Sequence, residues 1–395
     1  MIEIEKQDEL KISSIYLNNA STTKIRREVC KAMDPYIRLF YGNASDYNKL
    51  GDISKRAIEA AREIIAASIN CSPDEVYFTS GGTEANNTVI KGLINKYHFH
   101  PAHIISSNIE HHSIIGALES RLRLHNDIDY NLVPVENSGV MDVTKITDTF
   151  KLHTDLVSIM TVNNELGTIQ PIKKIAEKCQ DNGIIFHTDA VQAYGHMKID
   201  VSAMGIDLMS VSGHKFHGPK GVGFLYMSNR VKNRFEPLIS GGQQERYFRA
   251  STENVPGIVG LGKAAMIAME NMDKNEAHEY MLKKTLEQEI KRLNNVHVNG
   301  KINYTDSRHL NIRVDGCRGE ELQALFNEQR IYISTGSACN SQSGEPSHVL
   351  KAIGLSDDEA NSSIRISLGD LNTKEDIETF IYCLKQNIGI LRGRT

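Results

Sequence analysis

A chain of 395 residues is long enough for two domains with sizeable cores, or for one large domain and a smaller one. Its hydrophobic share of 40% and charged share of 24% are those of an ordinary globular protein, and a formal net charge of −4 gives no general attraction to nucleic acid or to anionic lipid. No run approaches the roughly 20 apolar residues that a bilayer crossing needs.

The start, Met1-Ile2-Glu3-Ile4-Glu5-Lys6-Gln7-Asp8-Glu9, is acidic and lacks an apolar core, so it resembles neither a signal nor a transit peptide. A cytoplasmic location is the expectation. Cys30, Cys71, Cys179, Cys317, Cys339 and Cys383 are scattered with no Cys-x-x-Cys pair, which argues against a zinc ribbon and a disulfide framework.

Along the chain, Val29, Met33, Ile37 and Phe40 fall on one helical face, as do Ile58, Ala61, Ile65 and Ile69. Strands are expected at Val76–Thr79, His103–Ser106, Tyr130–Val135, Leu156–Val162, Ile184–Thr188, Leu208–Ser212 and Val222–Met227. Helices fit between most of them. One is Ile172–Gln180, with Pro171 at its first turn and Gly183 past its end. This alternation predicts an α/β protein with a mainly parallel sheet flanked by helices.

From Gly257 to Leu293 the pattern becomes one long helical stretch. Strands Leu310–Val314, Ile331–Ser334 and Ser363–Ser367 then alternate with helices Glu320–Gln329 and Lys374–Ile388. The expected organisation is a large domain over residues 16–256 and a smaller α+β C-terminal domain over 257–395. Residues 1–15 are expected to pack on the small domain.

The most informative motif is Ser212-Gly213-His214-Lys215-Phe216-His217-Gly218, which follows the apolar run Ile206–Val211. A lysine in such a turn suits an amine that forms a Schiff base with pyridoxal phosphate (PLP). Taken alone, a solvated lysine is the commoner meaning. Ser80-Gly81-Gly82-Thr83-Glu84 follows a strand and opens a helix, where backbone N–H groups meet a phosphate; it is not a Walker loop, because no lysine follows. Asp189 ends a buried strand in His187-Thr188-Asp189-Ala190-Val191-Gln192, and an acid there can face a pyridine nitrogen and keep it protonated. His98, His100 and His103 could be imagined as a metal site, but no carboxylate or cysteine joins them nearby and Pro101 suggests a surface loop.

Together with Asn163-Asn164-Glu165-Leu166-Gly167 and Gly336-Ser337-Ala338-Cys339, these motifs stand in an order that resembles the cysteine desulfurases of the NifS/IscS type, which are class V aminotransferase-like, fold-type I PLP enzymes. The resemblance runs from about Tyr16 to Leu391. It implies that Lys215 holds PLP, that His111 stacks on the ring and moves protons, and that Asp189 pairs with the pyridine nitrogen. It further implies that Gln192 and Asn164 contact the ring hydroxyl or the substrate side, and that Gly82, Thr83, Ser212 and His214 hold the phosphate. Thr252 matches a residue that reaches the phosphate from a neighbouring subunit, which implies a homodimer. Arg365, in Ser363-Ile364-Arg365-Ile366-Ser367, matches the arginine that clamps the substrate carboxylate, for which a guanidinium fork is well shaped.

Cys339 is the discriminating residue. It lies in a loop rich in glycine and serine, where a solvated thiol can move to a bound substrate and carry sulfur away. The implied activity is removal of sulfur from L-cysteine, giving L-alanine and a persulfide on Cys339. An acceptor protein then takes the sulfur towards iron–sulfur clusters or the thiolation of RNA or DNA. The loop through Ser343-Gly344-Glu345-Pro346 resembles the NifS/IscS group rather than the SufS group.

The chain departs from the family pattern at several positions. Asn18 stands where an aspartate is usual, Gln243, Tyr247 and Ser251 replace glycines, Gly344 replaces an apolar loop residue, and Asp370 stands where arginine is frequent. The run through Asn48 is also unusual. The alternatives are a selenocysteine lyase or another class V aminotransferase, against which Cys339 speaks, and a non-catalytic scaffold of the same fold. No motif supports direct nucleic-acid binding.

Overall fold

The apolar runs fold as strands packed between helices. The computed structural model of the protein describes residues 14–94, 99–335 and 345–393. By its internal contacts the chain divides into two compact units, Thr22–Asn163 with Thr168–Asp273, and Met1–Ser21 with Asn164–Gly167 and Lys274–Thr395. The division falls inside the helix Val255–Ile290. The sequence places its domain boundary at 256/257, where the composition changes at the start of that helix.

In chain order the strands are β1 (Ile15–Tyr16), β2 (Val76–Thr79), β3 (Ala102–Ser107), β4 (Ile128–Val133), β5 (Thr154–Ser158), β6 (Ile185–Asp189), β7 (Leu208–Ser212), β8 (Gly223–Met227), β9 (Val296–Val298), β10 (His309–Val314), β11 (Ile331–Tyr332) and β12 (Ser363–Ser367). The first unit holds a seven-stranded sheet in the order β2-β8-β7-β6-β5-β3-β4. Neighbours from β7 to β4 are parallel, and β8 is antiparallel to both β2 and β7. Hence β2 runs in the same direction as β7, and most of the sheet is parallel. Strands β2, β3, β5, β6, β7 and β8 are buried along their whole length, as a sheet covered on both faces requires.

Four helices of this unit matter for the site: α1 (Arg27–Arg38), α2 (Lys49–Ser68), α3 (Gly82–Gly92) and α4 (His112–His125). The face of α2 that carries Ile58, Ala61 and Ile65 is buried, and Ile69 just beyond the helix is buried too. Each fully buried aliphatic side chain of this kind contributes about 1.5–3 kcal/mol. The face expected at Val29, Met33, Ile37 and Phe40 is not a core face throughout. Only Val29 is fully buried, Ile37 is 60% exposed, and Phe40 lies beyond the end of α1.

Two strand ends also differ from expectation. β4 spans Ile128–Val133 rather than Tyr130–Val135, because Pro134 has no N–H to continue the ladder. β5 stops at Ser158, and Val162 instead forms an isolated bridge with Ile169.

The second unit contains the antiparallel sheet β12-β10-β9 and the parallel pair β1-β11. Leu310, Ile312, Ile364 and Ile366 face helix Lys374–Arg392 through Phe380 and Leu384 in one buried cluster. Beyond β11, the expected strand to Ser334 is reduced to a bridge between Ser334 and Arg365. Residues 1–13 lie outside the described residues; β1 pairs with β11. Among the described residues no helix is long and apolar enough to cross a membrane.

Candidate active site

In open α/β sheets, ligands bind beyond the C-terminal ends of the parallel strands. Here the ends of β2, β3, β6 and β7 open on one edge. The segments that follow them are Ser80–Thr83, Asn108–Ser113, Ala190–Gln192 and Gly213–Lys215.

Asp189 is the last residue of β6 and is 5% exposed. Its Oδ1 accepts the Val191 N–H at 2.9 Å, and its Oδ2 accepts the Asn86 side-chain amide at 2.7 Å. Gln192, also buried, follows in the turn after the strand. Asn86 donates a second time, to Ser113 Oγ at 2.8 Å. Ser113 Oγ in turn lies 2.8 Å from His111 Nδ1. His111 is the N-cap of α4, with Nδ1 accepting the Ser113 N–H at 3.1 Å. His112 is the exposed first residue of that helix. Glu110 is fully buried, accepting Ser107 Oγ–H and Met160 N–H; burial pushes its carboxyl up to about 8, and the charge of Asp189 adds to the rise.

Neither Asn86 nor Ser113 is among the residues singled out from sequence. A signal existed for Asn86: it lies one turn after Gly82 on the face of α3 that also buries Val89 and Ile90, where an amide must find partners.

Lys215 closes the short turn Gly213–Lys215 directly after β7, and is half-buried. The turn is pinned by Gly213 N–H to Val222 O at 3.0 Å and Gly218 N–H to Gly213 O at 3.0 Å. A Cβ on Gly213 would lie 2.8 Å from Leu261 Cδ1 and 3.0 Å from Pro219 O, so a side chain there would crowd the turn. Beside it, His214 Nδ1 is 3.1 Å from Thr22 Oγ1. Burial, reinforced by Lys215 and Lys220, pulls His214 down to about 4, so it is a neutral donor or acceptor at pH 7.

The turn Ser80–Thr83 leads into α3, whose N-cap Gly81 offers no side-chain cap. The first amides of the helix are therefore available to an anion. A Cβ on Gly82 would come within 2.5 Å of Val191 Cγ2 and 3.7 Å of Ser212 Cβ, which sets the turn against the ends of β6 and β7. Thr83 is exposed and Ser212 is buried. Glu84, in the first turn of α3, would repel an anion. Its carboxylate is instead held by Arg249 (Nε to Oε1 2.8 Å, Nη2 to Oε2 3.1 Å) and by the Ser80 N–H at 2.8 Å. Burial works against ionisation, yet these contacts keep Glu84 below its ordinary range.

Arg249 and Thr252 sit on a strained segment. Glu245, Arg246 and Tyr247 have φ of 46°, 56° and 68°, and Ser251 has φ 111°. Left-handed backbone costs a non-glycine residue about 1–2 kcal/mol. The anchor is a buried ion pair: Glu245 accepts both Arg62 amino groups, at 2.8 and 2.9 Å, and the Phe78 N–H at 2.8 Å. Thr252 is exposed and lines a polar pocket of about 220 Å³ with Thr79, Ser80, Arg249 and Glu253.

In the second unit, Arg365 lies in β12 at 2% exposure. Its Nη1 donates to Asn164 O at 2.8 Å, and its Nη2 to Asn18 Oδ1 and Ser21 Oγ, both at 2.8 Å. Burial pulls its guanidinium down to about 10 despite the attraction of Glu165 and Tyr16. The amide at position 18 leaves that charge without the aspartate usual there. Asn164 thus meets Arg365 through its backbone carbonyl.

Cys339 and the residues Gly336–Gly344 around it lie outside the described residues, as does His98. His103 is buried against Thr154 Oγ1 and Asn131 Oδ1, each at 2.8 Å. Among the described residues no group of three or more metal-binding side chains comes together. Burial pushes the thiols of Cys71 and Cys179 upward, so neither is an activated nucleophile.

A buried carboxylate at the end of β6, an amine in the turn after the neighbouring β7 and an uncapped helix N-terminus form a donor set that fits PLP. Residues 15–380 match the class V aminotransferase family. The chain is 42% identical over 380 residues to cysteine desulfurase IscS of Methanosarcina thermophila, covering 96% of this chain and 93% of that one. Among solved structures, a NifS-like protein superposes with a TM-score of 0.88 at 33% identity, covering 96% of this chain and all of that one (100%). SspA in complex with cysteine superposes with a TM-score of 0.79 at 34% identity, over 91% of this chain and 100% of that one.

Proposed function

The chain belongs to the class V aminotransferase family, and from that membership we propose that it is a PLP-dependent cysteine desulfurase, taking sulfur from L-cysteine and releasing L-alanine. The observation that carries this reading is Asp189 and Lys215 at the ends of neighbouring strands, in a chain similar to cysteine desulfurases over 96% of its length.

Bound PLP supplies an electron sink for the charge left when a substrate Cα loses its proton. Asp189 keeps the ring nitrogen protonated, with Gln192 and His111 against the ring and Asn164 on the substrate side. Gly82, Thr83, Ser212 and His214 hold the phosphate. Lys215 would hold the cofactor through its amine and would take the Cα proton. Arg365 receives the substrate carboxylate.

The Cys339 thiolate attacks the substrate sulfur: the Cβ–S bond breaks, an S–S bond forms on Cys339, and the three-carbon fragment gains protons to leave as alanine. One cysteine and one thiol thereby give one alanine and one persulfide, with no other oxidant. A protein acceptor then takes the sulfur, and the IscS name of the relatives favours iron–sulfur cluster assembly as its destination.

A homodimer completes this reading, with Thr252 reaching the phosphate of a second protomer. Ile37 (60%), Leu39 (64%) and Tyr41 (74%) stand exposed around the end of α1, an apolar surface suited to a partner. The compartment assigned is the cytoplasm.

The test is alkylation and mass spectrometry after one turnover with L-cysteine. The wild type should carry an extra sulfur on the Cys339 peptide. Cys339→Ala should carry none and lose sustained alanine release by at least about 100-fold. Persulfide formed elsewhere at the wild-type rate in Cys339→Ala would end this assignment.

A further inference from the structure

The hydrogen bonds that join Asp189 to His111 have a direction. An ionised carboxylate only accepts, so the Asn86 atom 2.7 Å from Asp189 Oδ2 is the amide nitrogen. The same nitrogen has a second proton and gives it to Ser113 Oγ at 2.8 Å. Ser113 Oγ has then accepted on one side, and its own proton points to His111 Nδ1, 2.8 Å away. A second donor reaches that nitrogen independently. The Ser113 backbone N–H, which cannot reverse its role, lies 3.1 Å from Nδ1. Two donors therefore converge on Nδ1, which must be an acceptor.

We propose that Asn86 and Ser113 are positioning residues that fix His111 as the neutral tautomer with its proton on Nε2, so that the imidazole offers a proton donor and not a base. The inference rests on the reading of His111 as the ring-stacking residue of a PLP site. It rules out His111 as a base there, since a nitrogen that already carries a proton cannot accept one. Removal of the Cα proton falls to Lys215 alone, and Nε2–H of His111 serves as a hydrogen-bond donor.

The position of His111 acts in the same sense. It caps the N-terminus of α4, whose dipole disfavours a cation. Protonating Nδ1 would also set a new N–H against the fixed N–H of Ser113. The chain does not relay protons, because Asn86 is an amide and ends on a carboxylate. Its use is orientation. Burial of Asn86 at 1% exposure and Ser113 at 8% keeps water from substituting for either donor.

The test is a long-range proton–nitrogen spectrum of protein labelled at the histidine rings, recorded with and without PLP, with His111 assigned by its loss in His111→Gln. The wild type should show His111 as the Nε2–H tautomer at neutral pH. Ser113→Ala removes a donor to Nδ1, and the His111 titration midpoint should rise by roughly 0.4–1 unit, the worth of one hydrogen bond; Asn86→Ala leaves Ser113 Oγ without the donor that orients it and should move the midpoint the same way by less. The ionisable neighbours that could compete are His112, whose ring centroid is 6.5 Å from that of His111, Glu110 next in the chain, and Asp189. Ser113→Ala leaves all three in place, whereas Asn86→Ala also takes a donor from Asp189, so Ser113→Ala is the cleaner reading. A wild-type His111 in the Nδ1–H form, or an unchanged midpoint in both folded variants, would overturn the proposal. If a variant does not fold, the wild-type tautomer decides alone. Failure to take up PLP would instead overturn the functional reading while leaving the tautomer assignment intact.

Discussion

Lys215→Ala should lower alanine release from L-cysteine by roughly 10⁴-fold, the upper range for losing a positioned base, since it also loses the covalent tether of the cofactor. The loss is chemical rather than structural. Lys215 is half-buried at the end of a turn held by backbone bonds from Gly213 and Gly218, and those bonds do not involve its side chain. The variant should therefore unfold in urea near the wild-type midpoint. Borohydride reduction followed by digestion separates the two roles. In the wild type the Lys215 peptide should carry the cofactor; in Lys215→Ala no peptide should. A variant that keeps a tenth of the wild-type rate would show that another group removes the proton.

Arg365→Ala should raise the KM for L-cysteine by roughly 10–100-fold, the range for one charge-assisted hydrogen bond pair, with a smaller effect on kcat. A guanidinium at 2% exposure is normally neutralised. Here its direct partners are the carbonyl of Asn164, the amide oxygen of Asn18 and the hydroxyl of Ser21, all of them neutral. Burial, only partly offset by Glu165 and Tyr16, lowers its affinity for a proton, so an arriving carboxylate adds a directly bonded charged partner. Arg365→Lys should fall between the two, because it keeps the charge and loses the fork. Steady-state kinetics measures both. An unchanged KM in a folded Arg365→Ala would remove the residue from substrate binding.

Much of the architecture was legible because its signals are local. Each expected strand of the large sheet is present, and Leu208–Ser212 and Ser363–Ser367 match to the residue. The ends were less legible where a single atom decides, as at Pro134 after β4. Ile37 shows another limit. Periodicity reports that a face is apolar, not what covers it, and Ile37 stays 60% exposed among the described residues.

The same contrast holds at the site. Asp189 and Lys215 announce themselves by following apolar runs. Asn86 and Ser113 do not, because their meaning lies in what stands opposite them, 103 and two residues away in the chain. Asn18 is intermediate: its departure from the family pattern was visible, but its contact with Arg365, 347 residues distant, was not.

The central claim is tested most directly by incubating the purified protein with L-cysteine, PLP and a thiol reductant and measuring alanine and sulfide together. Sustained release of both in equal amounts is the predicted result. A PLP-loaded protein that releases no alanine from L-cysteine would contradict it.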